Sequence, residues 1–219
     1  MTVVTFALPQ ESRDFRAALH ARGGRFGTEE IRVAHLGIGP VAASEAIRRL
    51  LAEAKPCLLV CAGFAGGLEP RLRVGDLVLA ENFTSPELLA RASRGAAVGA
   101  LVTHSAPIET IEAKAALARE SGALAVDMET AVVAEACRAA GVPLLAVRVI
   151  SDAADTALPV PFEEWFDIER QDPRRWRLLK YLARHPGQIR TFAEFVRGLG
   201  PARRTLTDFL IRFLESTHF

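Results

Sequence analysis

The sequence predicts an α/β fold, a three-layer α/β/α sandwich with a mixed, mostly parallel central sheet. Two observations support this prediction. Short apolar, β-branched runs alternate with helical patterns along the chain, which is typical of parallel strands joined by helical crossovers. One run, PCLLVCAGFAGGL, is apolar throughout and is closed by glycines, as expected for a central strand that is covered on both faces.

The predicted elements follow one another in a regular order. A strand over 2–7 precedes a helix over about 12–22, and a strand over 31–36 leads through a glycine turn into a helix over 41–54. The stretch LAVDMETAVVAEAC predicts a short strand and then a helix that ends near Gly141. Four other runs each predict a strand: PCLLVCAGFAGGL, VGDLVLAE, VGALVTH and PLLAVRVISD.

Composition narrows the class of protein. The 219 residues suffice for one domain over 1–219 with a single core. Half of the residues are hydrophobic and the formal net charge is +1, which argues against disorder and against a nucleic-acid partner. The three cysteines and five histidines show no metal-ligand spacing, so we expect reduced thiols and no metal. Without a basic leader or a long apolar run, we expect a cytoplasmic protein.

The C-terminal segment 174–219 is a basic, helical extension of this domain. It holds ten Lys and Arg residues against three Asp and Glu residues, in three helical patterns: RRWRLLKYLARH, IRTFAEFVRGL and RRTLTDFLIRFLES. We favour helices that pack on or beside the sheet. Their basic amphipathic faces could instead contact anionic phospholipid, as a peripheral membrane contact, or an elongated lipidic substrate.

Polar residues cluster where the predicted strands end. Ligands of parallel α/β sheets bind beyond the carboxyl ends of the strands, so these residues are the candidates for a site. They are Gln10 and Glu11, Gly37 and Gly39, residues 103–105, Asp127 and Glu129, and Ser151 and Asp152.

Two of the acids allow both a structural and a chemical interpretation. Asp152 could cap a helix, or it could stay protonated when partly desolvated and donate a proton to a leaving group. Glu129 falls in the first turn of a predicted helix, where the helix dipole stabilises an anion. Its two acceptor oxygens also suit the hydroxyls of a vicinal diol. Asp127 is better suited to capping than to chemistry.

Other features are less specific. Met128 is a core residue or the apolar floor under a sugar ring. Glu11 is an ordinary first-turn acid of a helix, or it orients a nucleophilic water. The glycines of GIGP and GFAGGL leave backbone N–H groups free for anions, which makes Gly37 and Gly39 candidates for phosphate binding. Neither stretch has dinucleotide-binding or P-loop spacing.

Three motifs, AGFAGGL…VGDLV, AVDMETAVVAEAC and VRVISDAAD, occur in this order after an acid that follows the first strand. Together they resemble the nucleoside phosphorylase and nucleosidase superfamily over 3–155, in particular the methylthioadenosine/S-adenosylhomocysteine nucleosidases. The resemblance implies the phosphorylase/hydrolase-like fold, a small-molecule nucleoside substrate, a homo-oligomer and no cofactor, with inorganic phosphate as a candidate co-substrate.

The resemblance also implies roles for individual residues. Asp152 corresponds to the general acid that protonates the purine at N7, and Glu11 to the carboxylate that positions the attacking water. Glu129 corresponds to the acid that binds the ribose hydroxyls, and Met128 to a sugar-contacting methionine. The other substrate-binding residues that it implies, in part from the loop over 104–109, are Phe64, His104, Ser105, Ile108 and Ser151.

The chain also departs from the nucleosidases. Phe64 stands where they carry a serine, Cys61 falls where some phosphorylases have a phosphate-binding arginine, and the segment over 81–101 is short. An apolar residue before AGGL and the tail RHPGQIRTFAEFVRGLGPARR are similar to the hopanoid-associated phosphorylases. That likeness implies phosphorolysis of adenosylhopane.

Two alternatives remain open. One is a hydrolytic nucleosidase of the methylthioadenosine/S-adenosylhomocysteine or futalosine type, which Glu11 favours. The other is a non-catalytic nucleoside-binding or membrane-associated protein, although such a protein has no need of the proton donor Asp152.

Overall fold

The computed structural model describes residues 1–216. The central sheet contains nine strands within this range: β1 (Thr2–Phe6), β2 (Arg25–Phe26), β3 (Glu29–His35), β4 (Leu58–Gly67), β5 (Leu77–Ala80), β6 (Ala97–Gly99), β7 (Leu101–Thr103), β8 (Ala125–Asp127) and β9 (Leu144–Asp152). A separate small hairpin joins β10 (Phe166–Asp167) to β11 (Asp172–Pro173).

Helices connect the strands and cover the sheet. They are α1 (Arg13–Ala21), α2 (Pro40–Ala54), α3 (Pro86–Ala92), α4 (Ile111–Ser121), α5 (Thr130–Ala140), α6 (Arg175–Arg184) and α7 (Gly187–Glu215), with one short 3-10 helix at Phe162–Glu164. None of the helices in the described range is long and apolar enough to cross a bilayer.

The sheet is mixed and mostly parallel. Its strands run in the order β2-β3-β1-β4-β9-β5-β6, and β8 branches from the end of β4 to pair with β7. The pairs β1–β3, β1–β4, β4–β9, β5–β6 and β7–β8 are parallel. The long apolar run forms the central strand β4, as predicted. Because β1, β4 and β9 are parallel neighbours, their carboxyl ends share one edge of the sheet.

Two apolar layers lie on opposite faces of the sheet. Since successive side chains of a strand point to opposite faces, Val3 and Val4 of β1 enter different clusters. Val4 packs in a cluster with residues of α1, α3 and α7, whereas Val3 packs in a cluster with residues of α2 and α5. The predicted α/β/α fold class is therefore confirmed.

One predicted strand is divided. The run VGALVTH forms both β6 and β7, which pair with different partners on either side of Ala100. The cause lies in Asn82, whose Nδ2 donates to the Leu101 carbonyl at 2.9 Å while its Oδ1 accepts the Leu101 N–H at 3.0 Å. The side-chain amide thus takes the place of a neighbouring strand, and the chain turns from β5 to β8.

The last two predicted helical patterns form one helix, α7, which continues through Pro201. Proline lacks an N–H and normally interrupts a helix. Here the following half is held by burial of its apolar face against β9 and α1: Ala202, Leu206, Phe209, Leu210, Phe213 and Leu214. By contrast, α6 is exposed, with Trp176 83 % accessible. The last three residues of the predicted extension, which include His218, lie outside the described residues.

Candidate active site

A cavity of about 380 Å³ opens at the carboxyl edge of β1, β4 and β9. Its volume lies in the range of small-molecule sites. The predicted residues that line it are Glu11, Phe64, Ile108, Met128, Glu129, Ser151 and Asp152. A wider surface groove of about 950 Å³ beside α1 is open to solvent and includes none of these residues, so we assign the site to the smaller, more enclosed cavity.

Asp152 ends β9 and is buried. The Lys114 ammonium, on α4, donates to its Oδ2, and the Ser151 hydroxyl lies 2.5 Å from its Oδ1. No helix within the described range begins directly after Asp152, so the capping alternative is wrong for this residue. The carboxyl is held at the cavity wall with both oxygens engaged.

Glu129 precedes α5 rather than lying in its first turn, which corrects the predicted position. Its Oε1 accepts the Gly39 N–H at 2.7 Å. Burial, followed by the neighbouring Asp127 carboxylate, raises the pKa of Glu129 to about 8. A carboxyl that faces the cavity with a second oxygen available suits recognition of a hydroxyl pair.

Asp127 has the predicted capping role and also forms a buried ion pair. It accepts the N–H of Thr130, at the start of α5, at 3.0 Å and the Thr103 hydroxyl at 2.7 Å. Arg148 donates to it from Nη2 at 2.7 Å and from Nε at 2.9 Å. Arg148 is itself buried, and its Nη2 also contacts Cys61 Sγ at 3.3 Å.

Glu11 lies in the turn between β1 and α1, before the helix begins. Its Oε1 accepts the Phe64 N–H at 3.1 Å and its Oε2 accepts the Leu8 N–H at 2.9 Å. Burial raises its pKa, and the two N–H groups oppose that rise. A small cavity of about 10 Å³ lies between Glu11, Glu129 and Arg148. That volume is close to the space that one water molecule needs.

The glycine loop after β3 does not offer the free N–H groups that we predicted for phosphate. Gly37 donates to the Ala7 carbonyl at 3.1 Å, Ile38 to Gln171 Oε1 at 2.7 Å, and Gly39 to Glu129. The expectation of free N–H groups at Gly37 and Gly39 is therefore corrected, whereas their role in phosphate binding stays a prediction. Both have positive φ, 81° and 88°, which favours glycine, and they shape the loop that holds Glu129.

The loop after β7 supplies only some of the predicted substrate-binding residues. Ala106, Pro107 and Ile108 line the cavity, whereas His104 and Ser105 do not. The Nδ1 of His104 lies 2.7 Å from the Ala106 carbonyl, so its ring contacts the backbone of its own loop. Ser105 is exposed to solvent.

A second part of the cavity lining is apolar and is formed by later parts of the chain; we call it the apolar end, and the part that holds the carboxyls the acidic end. Phe162, Trp165 and Phe166 pack on one another, with ring centroids 4.4 Å and 5.8 Å from Phe162. Phe195 and Leu199, on α7, complete this wall. We call these five residues the apolar wall.

Comparison with known proteins establishes the family. The sequence model of the phosphorylase superfamily matches residues 7–93 and 81–175. The chain belongs to the phosphorylase superfamily.

Individual proteins are similar to this chain in sequence or in fold. A 5′-methylthioadenosine/S-adenosylhomocysteine nucleosidase from Marinomonas sp. strain MWYL1 is 28% identical over 186 residues, which cover 68% of this chain and 79% of that protein. The crystal structure of the corresponding Helicobacter pylori nucleosidase with butyl-thio-DADMe-Immucillin-A has a TM-score of 0.72 at 22% identity, covering 98% of this chain and 97% of that one. A futalosine hydrolase mutant of H. pylori strain 26695 has a TM-score of 0.73 at 21% identity, covering 98% of each chain.

Sequence reasoning missed several residues of this candidate site. Arg148 carried a signal, since it is a lone charge within an apolar strand. Lys114 carried none, because a lysine in the helical pattern IEAKAALARES normally faces solvent. The apolar wall was also missed. Among the described residues, no group of three or more His, Cys, Asp or Glu side chains could hold a metal ion.

Proposed function

We propose that this chain cleaves the N-glycosidic bond of a 5′-substituted adenine nucleoside. The observation that carries the proposal is the convergence of Asp152, Glu129 and Glu11 on one cavity. Asp152 protonates the departing base, Glu129 binds the ribose hydroxyls and Glu11 faces the anomeric carbon. Protonation of the leaving group and an ionised Glu11 near the developing ribosyl cation both lower the barrier. The Marinomonas relative, named for two adenine nucleosides, supports this bond and this base.

The apolar wall supports a large apolar group at the 5′ carbon. Aromatic side chains line the same cavity as the acids, and they would bury such a group at roughly 25 cal/mol per Å². Adenosylhopane, which the tail of the sequence implies, is our candidate substrate. Short thioether substituents, such as that of methylthioadenosine, would leave this wall uncovered.

Two nucleophiles are supported by different observations. Phosphate is favoured by the likeness of the tail and of the AGGL region to the hopanoid-associated phosphorylases. Water is favoured by the geometry, because Glu11 and Glu129 border a cavity of about 10 Å³ and the N–H groups of residues 37–39 all have acceptors. Phosphorolysis would release ribose 1-phosphate with its 5′ group, and hydrolysis would release the free sugar.

The decisive experiment measures adenine release by purified protein with and without inorganic phosphate. Adenosylhopane, a long-chain 5′-alkylthioadenosine and methylthioadenosine are the substrates. Release that requires phosphate supports phosphorolysis, and equal release without phosphate supports hydrolysis. If no substrate releases adenine while nucleosides still bind, the protein is a non-catalytic nucleoside-binding protein and the proposal fails.

We also propose a peripheral contact between α6, the first half of α7 and an anionic membrane. Apolar side chains are exposed there, including Trp176, Leu179 and Ile189, and residues 175–200 hold six basic residues against one acidic residue. Flotation with phosphatidylglycerol vesicles tests this contact, with phosphatidylcholine vesicles as comparison. Binding should fall for Trp176→Ser but not for Val98→Ser, an exposed residue of β6. Equal binding of both variants would reject the contact.

Finally, we propose that copies of the chain associate. The groove between α2 and α5 is lined mostly by small apolar residues: Ala52, Val132, Ala136, Ala139 and Ala140. Val41, at the start of α2, is 82 % exposed. Light scattering during size-exclusion chromatography checks this, and a monomer at all concentrations would contradict it.

A further inference from the structure

Lys114 is a wholly buried lysine whose contacts all lie around Asp152. Its side chain has 0 % exposure, and it does not line the cavity, whereas Asp152 does. Its ammonium donates to Asp152 Oδ2, to the Ala153 carbonyl at 2.8 Å and to the Thr156 carbonyl at 2.7 Å. Each of its three N–H bonds therefore has one acceptor.

Burial of a charged side chain costs free energy unless the charge has a partner, and the ion pair between Lys114 and Asp152 provides one. It also creates a difficulty for the proposed reaction. A carboxyl that accepts from an ammonium on one oxygen and lies 2.5 Å from a hydroxyl on the other is engaged as an acceptor. A proton for the base can then come from a neighbour, and the ammonium of Lys114 is in direct contact with the carboxyl.

We propose that Lys114 supplies, through Asp152, the proton that leaves with the base. This inference rests on the proposed function. One N–H proton of Lys114 moves to the carboxylate, and the carboxyl delivers a proton to N7 of the purine. The two remaining N–H bonds keep the carbonyls of Ala153 and Thr156 as acceptors, so the amine needs no rearrangement. Lys114 acts through Asp152 and is thus a positioning residue.

The step balances in charge and atoms. The bond between C1′ and N9 breaks with its electron pair going to the base, and N7 gains the proton that Lys114 loses. When water is the nucleophile, its oxygen bonds to C1′ and its proton goes to Glu11. After the base leaves, solvent in the cavity returns a proton to Lys114 through Asp152, and Glu11 releases one.

The test separates this role from simple support of the fold. In Lys114→Met, kcat for the adenine nucleoside should fall roughly 100-fold, the lower range for loss of acid–base catalysis, with KM nearly unchanged. Cleavage of 4-nitrophenyl riboside should change less than about threefold, since nitrophenolate leaves without a proton. Lys55→Met, an exposed lysine after α2, is the matched control.

A double variant tests the same inference independently. If Lys114 acts through Asp152, adding Lys114→Met to Asp152→Asn should cause no further loss of kcat. Equal losses on both leaving groups, or a further loss in the double variant, would overturn the inference. Failure of the wild type to release adenine would instead overturn the proposed function. Thermal unfolding of each variant identifies any that is not folded at the assay temperature.

Discussion

The two ends of the cavity are built by different means. At the acidic end, each carboxyl is fixed by a backbone N–H or a buried cation, and the acids stand at or just beyond the ends of β1, β8 and β9. At the apolar end, the wall comes from residues 162–166 and from α7, which follow the last strand of the sheet. Because only the first end depends on the carboxyl edge of the sheet, bond cleavage and recognition of the 5′ group should be separable by mutation.

The largest effect should come from Asp152→Asn at the acidic end. The amide cannot deliver a proton to N7, so kcat should fall about 10² to 10⁴-fold. KM should change little, because the shape of the cavity is kept. Steady-state kinetics with an adenine nucleoside measures both values. An unchanged kcat would remove Asp152 from the reaction, and Asp155→Asn, an exposed acid nearby, is the matched control.

At the apolar end, we expect a smaller loss of kcat/KM, and one that depends on the 5′ substituent of the substrate. Phe195→Ala removes an aromatic ring from the wall, so kcat/KM for a long-chain 5′-alkylthioadenosine should fall roughly tenfold. The value for methylthioadenosine should stay within about twofold, since its short substituent does not need the ring. Val196→Ala, the next residue, is exposed and outside the wall and should affect neither substrate. A uniform loss on both substrates would mean that the two ends are coupled.

The side chain of Gln171 connects the two ends, and we expect its removal to change the kinetics less than Phe195→Ala does. Gln171 holds Ile38 by two hydrogen bonds, of 2.7 Å and 2.8 Å, in the loop whose Gly39 contacts Glu129. Gln171→Ala should therefore raise KM roughly fivefold, as expected for loss of about 1 kcal/mol, and leave kcat nearly unchanged. Gln188→Ala on the exposed start of α7 is the control. A fall in kcat with constant KM would argue against this connection.

The smallest effect concerns stability rather than turnover. The pKa of Glu129 is raised from 4.5 to about 8, so folding favours its neutral form. Its contribution to the free energy of unfolding is complete below pH 4.5 and is lost as pH rises through about 8. Glu129→Gln should thus flatten the fall in stability over this interval, measured by urea denaturation. Glu135→Gln, exposed on α5, should not flatten it, and equal slopes for both variants would contradict the prediction.

The strands of the sheet and the carboxyls of the acidic end could be predicted from local sequence patterns, because both depend on residues that are close together in the chain. Apolar runs mark strands, and an acid directly after a strand stands at the ligand-binding edge. Lys114 could not be found in this way, since its burial results from the approach of α4 to the end of β9. The apolar wall likewise depends on where α7 lies across the fold. Asn82, which divides a predicted strand, shows that one long-range amide can override a local pattern.

The proline within α7 has a mechanical consequence. The half of the helix after Pro201 is anchored in the core, whereas the half before it carries Phe195 and Leu199 along the cavity. Gly198 and Gly200 precede the proline, so the helix is least stiff where these halves meet. A small bend at this joint would widen or narrow the cavity to fit 5′ substituents of different size and leave the distances between the acids unchanged.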